Sequence, residues 1–362
     1  MPYVPAWRIE PIRMATLLPA VALLAAWALA PAHAEADTLP LAAAPGGSAP
    51  AAPAAPAAPA AEQPSPEEVA KTKKWREHIL AADMALSRRD FATCEAQLLS
   101  ALEIAETFGP TDDRLAASLA RLMRAYSVQG RHSEAVVPGK RLLALYEKAL
   151  GTEHLSVAMV LNDLAGQYKD QNKLDEALPL YARARAICRK AGDPGRPLLA
   201  IVLNNLAEVQ RDKGDLDLAE KLARQGLAIR EAVYGKDHRW TASSQEALGT
   251  ILLAKGQAAE AEQAFRSNLA ICQKNSSWNR PVLIEALIHV GRALAGQGKN
   301  SEAETFFKRA VTLGEGGLGR SDDVRADALE AYADLLQKTD RPAEAAKLTE
   351  QANTIREAIK TH

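Results

Sequence analysis

The sequence predicts an all-α solenoid of about seven helix-turn-helix repeats, and three observations predict it. One small residue recurs almost without drift: Cys94, Ala135, Ala177, Ala219, Ala261, Ala303 and Ala345 stand 41 residues apart once and then 42. Large apolar residues surround it at spacings of three and four, the period of a helix face. Glycine or a turn-tolerant residue stands five positions before it. A fixed period of about 20 to 50 residues marks stacked supersecondary units whose apolar faces are buried only against their neighbours.

The third repeat shows what fills each period. Leu161, Leu164, Ala165 and Tyr168 fall on one stripe of a first helix, and Ala177, Tyr181 and Ala184 on one stripe of a second. Asn172 to Asp175 form the break between them. The frame returns as Leu287, Val290, Gly291, Leu294, Ala303, Phe307 and Ala310, and again as Leu329, Tyr332, Ala333, Leu336, Ala345 and Ala352. Gly249, Gly291, Ala165, Ala207 and Ala333 let two helices approach closely, and the leucine and aromatic positions fill the space beside them.

Turn residues agree with these helices. Gly130, Gly214, Gly256 and Gly298 end first helices, with Asn172 in the third repeat and the poorer Arg89 and Asp340 in the end repeats. Gly109, Gly151, Gly192, Gly235 and Gly319 close second helices. Pro110, Pro197 and Pro281 keep the linkers that follow from continuing as helix.

The chain upstream differs in kind. Arg8 and Arg13 precede an apolar run from Met14 to Ala30, and Ala32-His33-Ala34 offers small residues where a signal peptidase reads. Residues 1–34 therefore read as a secretory signal and place the chain in the periplasm or outside the cell. The alternative is an uncleaved inner-membrane anchor, since the run is at the short edge for a span. Residues 35–65 are mostly Ala and Pro, a semi-rigid spacer with little apolar bulk to bury. Residues 66–362 hold the repeats, in units near 70–110, 111–151, 152–192, 193–235, 236–278, 279–319 and 320–362, which leaves no room for a separate catalytic domain.

Composition narrows the function. A net charge of -1 gives no overall pull on nucleic acid or anionic lipid, so neither is expected as a partner. Cys94, Cys188 and Cys272 are an odd set placed as core thiols, and no disulfide is expected. Gly314, Gly316 and Gly319 match a dinucleotide-binding glycine pattern but follow a helix instead of a strand, which makes them turn residues. His154 and His238 recur because their loop recurs, not as metal ligands. No catalytic residues, cofactor or metal site is expected, and the chain reads as non-enzymatic.

The pattern of large, large, small, large, then alanine with an aromatic four residues later, resembles the tetratricopeptide repeat. The 42-residue period, Leu-Asn-Asn-Leu-Ala at Leu203 to Ala207, its variant Leu-Asn-Asp-Leu-Ala at Leu161 to Ala165, and the loops Gly151 to His154 and Gly235 to His238 are similar to the kinesin light chain class. The resemblance covers about residues 66–362. With it the chain reads as a right-handed α-α superhelix and a protein-interaction scaffold.

The resemblance implies that stacked first helices line a concave face. Three rows then face a ligand: Ala120, Asn162, Asn204, Glu246, Ile288 and Glu330; Arg124, Gly166, Glu208, Thr250, Arg292 and Asp334; and Ser127, Lys169, Arg211, Leu253, Ala295 and Gln337. Asparagines flanked by Arg124, Lys169 and Arg211 suit the backbone and acidic side chains of an extended peptide. Ile288, Leu253 and Ala295 would form an apolar floor. By resemblance, Asn162, Asn204 and Asn205 hold ligand backbone; on the residues alone they are equally solvated groups or bonds between adjacent repeats. A second reading makes the chain a structural, self-associating envelope protein, with Leu348 and Ile355 leaving an apolar face on the last repeat.

Overall fold

The computed structural model describes residues 65–274, 280–316 and 320–360. The expected signal at 1–34, almost all of the Ala/Pro spacer and Gly319 lie outside the described residues. Within them the chain forms fourteen α-helices in seven consecutive pairs and no strand. They are α1 Pro66–Ser87 with α2 Phe91–Glu106, α3 Asp113–Val128 with α4 His132–Leu150, and α5 Leu155–Asp170 with α6 Leu174–Lys190. Then come α7 Arg196–Asp212 with α8 Leu216–Tyr234, α9 Arg239–Ala254 with α10 Ala258–Lys274, α11 Arg280–Gly296 with α12 Asn300–Gly314, and α13 Arg320–Lys338 with α14 Pro342–Lys360.

The described residues divide inside α6 into two compact units, one ending at Leu180 and the other starting at Tyr181. Within the first, α1 packs on α2, α2 on α3, α3 on α4 and α4 on α5. Within the second, each helix from α7 to α14 packs on the next, and first helices also meet directly: α7 with α9, α9 with α11 and α11 with α13.

The recurring small residue is the tightest point of every repeat. Cys94 is 1% exposed and the six alanines are fully buried. A matched pair of side chains sets how closely the helices approach. A Cβ added at Gly249 would lie 2.6 Å from the Phe265 ring, and one at Gly291 would lie 2.6 Å from the Phe307 ring. The second repeat inverts the sizes: Met123 takes the first-helix position, and Gly139 on α4 leaves the room, since a Cβ added there would lie only 2.9 Å from the Met123 sulfur. Large faces small in each case because the gap between two packed helices has one volume to fill.

The ends of the helices follow from local chemistry. Ser65 caps α1 in a reciprocal pair with Glu68, while Asp90, Asp112 and Asp215 cap α2, α3 and α8. His154 and His238 cap α5 and α9, each accepting a backbone N–H on Nδ1 at 3.1 and 3.2 Å. That shared role explains why the histidine recurs with its loop. Arg89, Asn172 and Asp340 stand at φ 60°, 57° and 60°, in the left-handed region that other repeats give to glycine. Two expectations change in detail. Pro197 and Pro281 stand in the first turns of α7 and α11, where a missing N–H costs nothing. The break in the third repeat is shorter than expected, and Asp175 already belongs to α6.

A polar contact that the periodicity does not announce joins successive repeats. The residue after the small position is Glu95, Glu220, Glu262 or Glu304 in four repeats, and each accepts from a cation at the turn of the next. The donors are Arg131 at 2.5 Å, Lys255 at 2.7 Å, Lys299 at 3.3 Å and Arg341 at 2.9 Å. Lys308, Tyr332 and Arg341 together hold the Glu304 carboxyl down at about 2.

Two stability changes are expected from this packing. Gly291→Ala should lower stability by about 1–2 kcal/mol in urea unfolding, because overpacking outweighs the helix propensity that alanine gains, and Phe307→Leu should restore part of the loss; a stabilised Gly291→Ala chain would refute the tight contact. Arg89→Gly with Asp340→Gly should raise the melting point, each relieving roughly 0.5–1 kcal/mol of left-handed strain net of the added chain entropy.

Candidate functional site

The first helices carry the polar residues expected to meet a ligand, and the structure sorts them. Asn162 is 6% exposed and Asn204 is 5% exposed, so neither stands on an open face. Asn204 Nδ2 donates to Ser244 Oγ at 2.8 Å, a bond from α7 to α9 that ties the fourth repeat to the fifth. Asn162 Nδ2 donates to Asp163 Oδ1 at 3.1 Å. The reason is packing: position 162 is next to Leu161 on a helix that touches neighbours on more than one side, so the amides at this position donate within the protein, while Asn204 Oδ1 is buried without a hydrogen-bond partner. Ala120 and Ile288, expected in the same row, are also buried, which removes Ile288 from the expected apolar floor and leaves the half-buried Leu253 and Ala295.

The cations stay nearer the surface. Arg124 and Asn205 are half-buried, as are Lys169 and Arg211, whose side chains keep 22% and 31% of their exposure. Lys169 lies 3.9 Å from Asp170, and Arg211 lies 2.7 Å from Asp212. Each of these two cations therefore has an acid one residue along its own chain. Burial lowers the Arg124 pKa, with Arg121 adding to the effect and Asp83 opposing it. Arg124, Asn162 and Lys169 belong to the first compact unit; Asn204, Asn205 and Arg211 belong to the second. Ser127, in the third row, accepts from Gln167 Nε2 at 3.1 Å, and His132 Nδ1 lies 3.0 Å from Gln167 Oε1.

Two titratable sites emerge that spacing does not single out. Asp163 Oδ2 is buried without a hydrogen-bond partner, and burial pushes the carboxyl up to about 7 against the pull of Asn162. In the second unit, Glu246 Oε1 lies 3.6 Å from His289 Nδ1. Burial, then Glu285 and Glu208, push Glu246 up to about 7. Burial, then Arg292, push His289 down to about 4, with its ring stacked 5.0 Å from Phe265. Near neutral pH the two are thus neighbours without a full ion pair. Asp163 and Glu246 sit at consecutive-row positions of their repeats, which a register count could have flagged as carboxyls entering helix contacts.

Leu348 and Ile355, expected to leave an apolar face on the last repeat, are half-buried and pack against Ala326, Leu329 and Ala352 of the same repeat. Arg356 donates to Asp327 at 2.7 Å and Glu330 at 2.9 Å. Cys94, Cys188 and Cys272 are free and buried, with thiols pushed by burial to about 11, 12 and 12. Of the glycine triplet, Gly314 ends α12 against the Arg325 side chain and Gly316 turns the chain at φ 69°. Among the described residues no group of three or more His, Cys, Asp or Glu is placed to hold a metal ion, and no helix is long and apolar enough to cross a membrane.

Comparison with known proteins agrees with this geometry. Tetratricopeptide repeat family models match residues 115–156, 156–232, 198–274 and 283–323, together more than half of the chain. The chain belongs to the tetratricopeptide repeat proteins, a fold for protein interaction. It is similar to a putative kinesin light chain with TPR-like repeats from Podosopora anserina, at 26% identity over 57% of this chain and 96% of that one, TM-score 0.48. It is similar in fold to the quorum sensor NprR from B. thuringiensis, at 14% identity over 79% of this chain and 77% of that one, TM-score 0.64. The Rap conjugation gene regulator of plasmid pLS20 is another such structure, at 15% identity over 84% and 79% of the two chains, TM-score 0.56. No curated protein matches the sequence.

Asp163 generates a pH prediction. Its folded pKa is raised above the ordinary value near 3.9 for aspartate, so its penalty is absent below about pH 4, grows between about pH 4 and 7, and is constant above that. Asp163→Asn should therefore stabilise the chain at pH 8 by roughly 1–3 kcal/mol, with the gain shrinking towards pH 5. Equal urea midpoints for the two chains at pH 8 would show that the carboxyl is relieved by another route.

Proposed function

We propose that the chain is an exported, non-enzymatic scaffold that binds an extended segment of a partner protein along the first-helix faces of its repeats. The observation that carries this reading is a pair of half-buried charges on those faces, Arg124 on α3 and Glu246 on α9. Burial disfavours the charged form of each, cation and carboxylate alike. Helix packing needs neither charge, and partly desolvated charges on a repeat face are characteristic of surfaces that meet a partner.

The six candidates then divide by depth. Arg124, Lys169, Arg211 and Asn205 are the groups that meet the ligand. Asn162 and Asn204 lie beneath and hold the face in register. The first unit suits an acidic stretch of partner, and the second, with Glu208, Glu246 and Glu285 along successive first helices, suits a basic one. The pLS20 regulator was solved with the Phr* peptide bound, which supports a peptide ligand for a fold of this kind. The signal-like segment 1–34 supports a periplasmic or secreted location.

The test is crosslinked capture from the cell envelope with wild type and with an Arg124→Glu, Lys169→Glu, Arg211→Glu chain of matching helical melting curve, followed by direct binding of the captured partner. Loss of the partner in the variant, and separate weakening by Glu246→Lys, are the expected results. An unchanged set of partners would place recognition elsewhere.

A further inference from the structure

Two positions that every later repeat buries, those of Glu77 and Met84, are exposed in the first one. Met84 on α1 is 55% exposed, whereas its equivalents Ala125, Gln167, Ile251, Ala293 and Leu335 are 1%, 7%, 0%, 0% and 3% exposed. Leu80 is 63% exposed and Val69 is 53% exposed. On α1, Val69, Lys73, Arg76, Glu77, Leu80 and Met84 fall within one stripe, since steps of three, four and seven return to the same side of a helix. All six are exposed, and the stripe lies opposite buried Ile79, Ala82 and Ala85. End repeats of soluble arrays ordinarily carry a polar outer face. This one alternates charge and bulk.

The order of that alternation is self-complementary. With two copies of α1 antiparallel about an axis between residues 76 and 77, Val69 meets Met84, Lys73 meets Leu80, and Arg76 meets Glu77, each contact occurring twice. The apolar ends come together, the lysine stem covers a leucine while its ammonium stays in water, and the central charges pair with the correct sign. The reversed, parallel arrangement would set Arg76 on Arg76 and Glu77 on Glu77. A two-fold interface requires this kind of pattern, in which residue i meets j and j meets i.

We infer that the outer face of α1 is a docking surface for α1 of a second copy of this chain, in an antiparallel two-fold pair. The surface lies on the first helix of the first repeat, outside the six residues assigned above to a partner, and it uses the first repeat instead of the last.

Sedimentation of the full chain across a wide range of concentration tests it. The expected result is a reversible monomer–dimer equilibrium. Arg76→Glu alone and Glu77→Arg alone should each weaken dimerisation about tenfold, and the double exchange, which recreates two opposite-charge pairs, should restore it. Mixing Val69→Cys with Met84→Cys chains should give a crosslinked heterodimer on oxidation, against a low background because the native thiols are buried. A monomer at all concentrations would overturn the inference, as would a dimer indifferent to the single exchanges or unrestored by the double one. Every position is exposed, so unchanged helical melting confirms that each variant folds.

Discussion

Two helices can pack at close range only where one of them has almost no side chain, and the rest of this structure depends on that contact. The buried series from Cys94 to Ala345 supplies it once per repeat. Close approach at one point fixes the space left beside it, which is why Phe307 sits over Gly291 and Met123 over Gly139. The volume is conserved while the residues change places. A core built this way has no centre. Each repeat is stabilised by its neighbours, so stability is spread along the chain and recognition falls to the surface.

Dispersed stability needs specific joints, and the polar residues supply them. The glutamates after the small position accept from the turn of the next repeat, and their side chains remain partly hydrated, so each clasp is modest alone. Their value is in register: a repeat shifted by one residue loses the clasp and the small contact together. The Asn204–Ser244 bond is a different device, because both groups are buried and an amide without its partner there would carry the full cost of desolvation. Such a bond discriminates against misplacement more strongly than the exposed clasps do.

Much of this is legible in the sequence, and the divide between what is and what is not is physical. Period, small positions and turns are local or repeated, so seven copies of the same constraint speak at once; even the left-handed Arg89 and Asp340 follow from their offset to the small residue. Polar side chains on first helices are harder to place. A helix wheel separates one buried stripe from everything else, but a first helix in an array touches its own second helix and first helices on either side. Asn162, Asn204, Ala120 and Ile288 lie off the stripe that a wheel marks and are buried all the same. The clasp glutamates are hidden from a periodicity search because two of the inner repeats place Val136 and Leu178 there, which breaks the pattern. Asp163 resembles a variant asparagine of the motif, although its charge makes the position a different one.

The same geometry explains why an end repeat reveals more than an inner one. Its sequence follows the common template, yet one of its faces has no neighbour, so any residue there that still obeys the template is exposed for a reason or at a cost. In the last repeat Arg356 bridges Asp327 and Glu330, and Leu348 and Ile355 are half-buried against their own repeat. In the first repeat Met84 keeps the apolar character of a buried register, Leu80 adds bulk where other repeats place Arg121, Asp163, Asn205 and His289, and Glu77 adds a charge at a position that every later repeat buries. Inner equivalents Ser118, Val160, Val202, Ser244 and Ala286 are small or apolar at the Glu77 position. A face that were simply uncovered would have drifted towards uniform polarity, whereas one that packs against another protein surface must keep bulk and charge in a fixed order, and that order is what α1 displays.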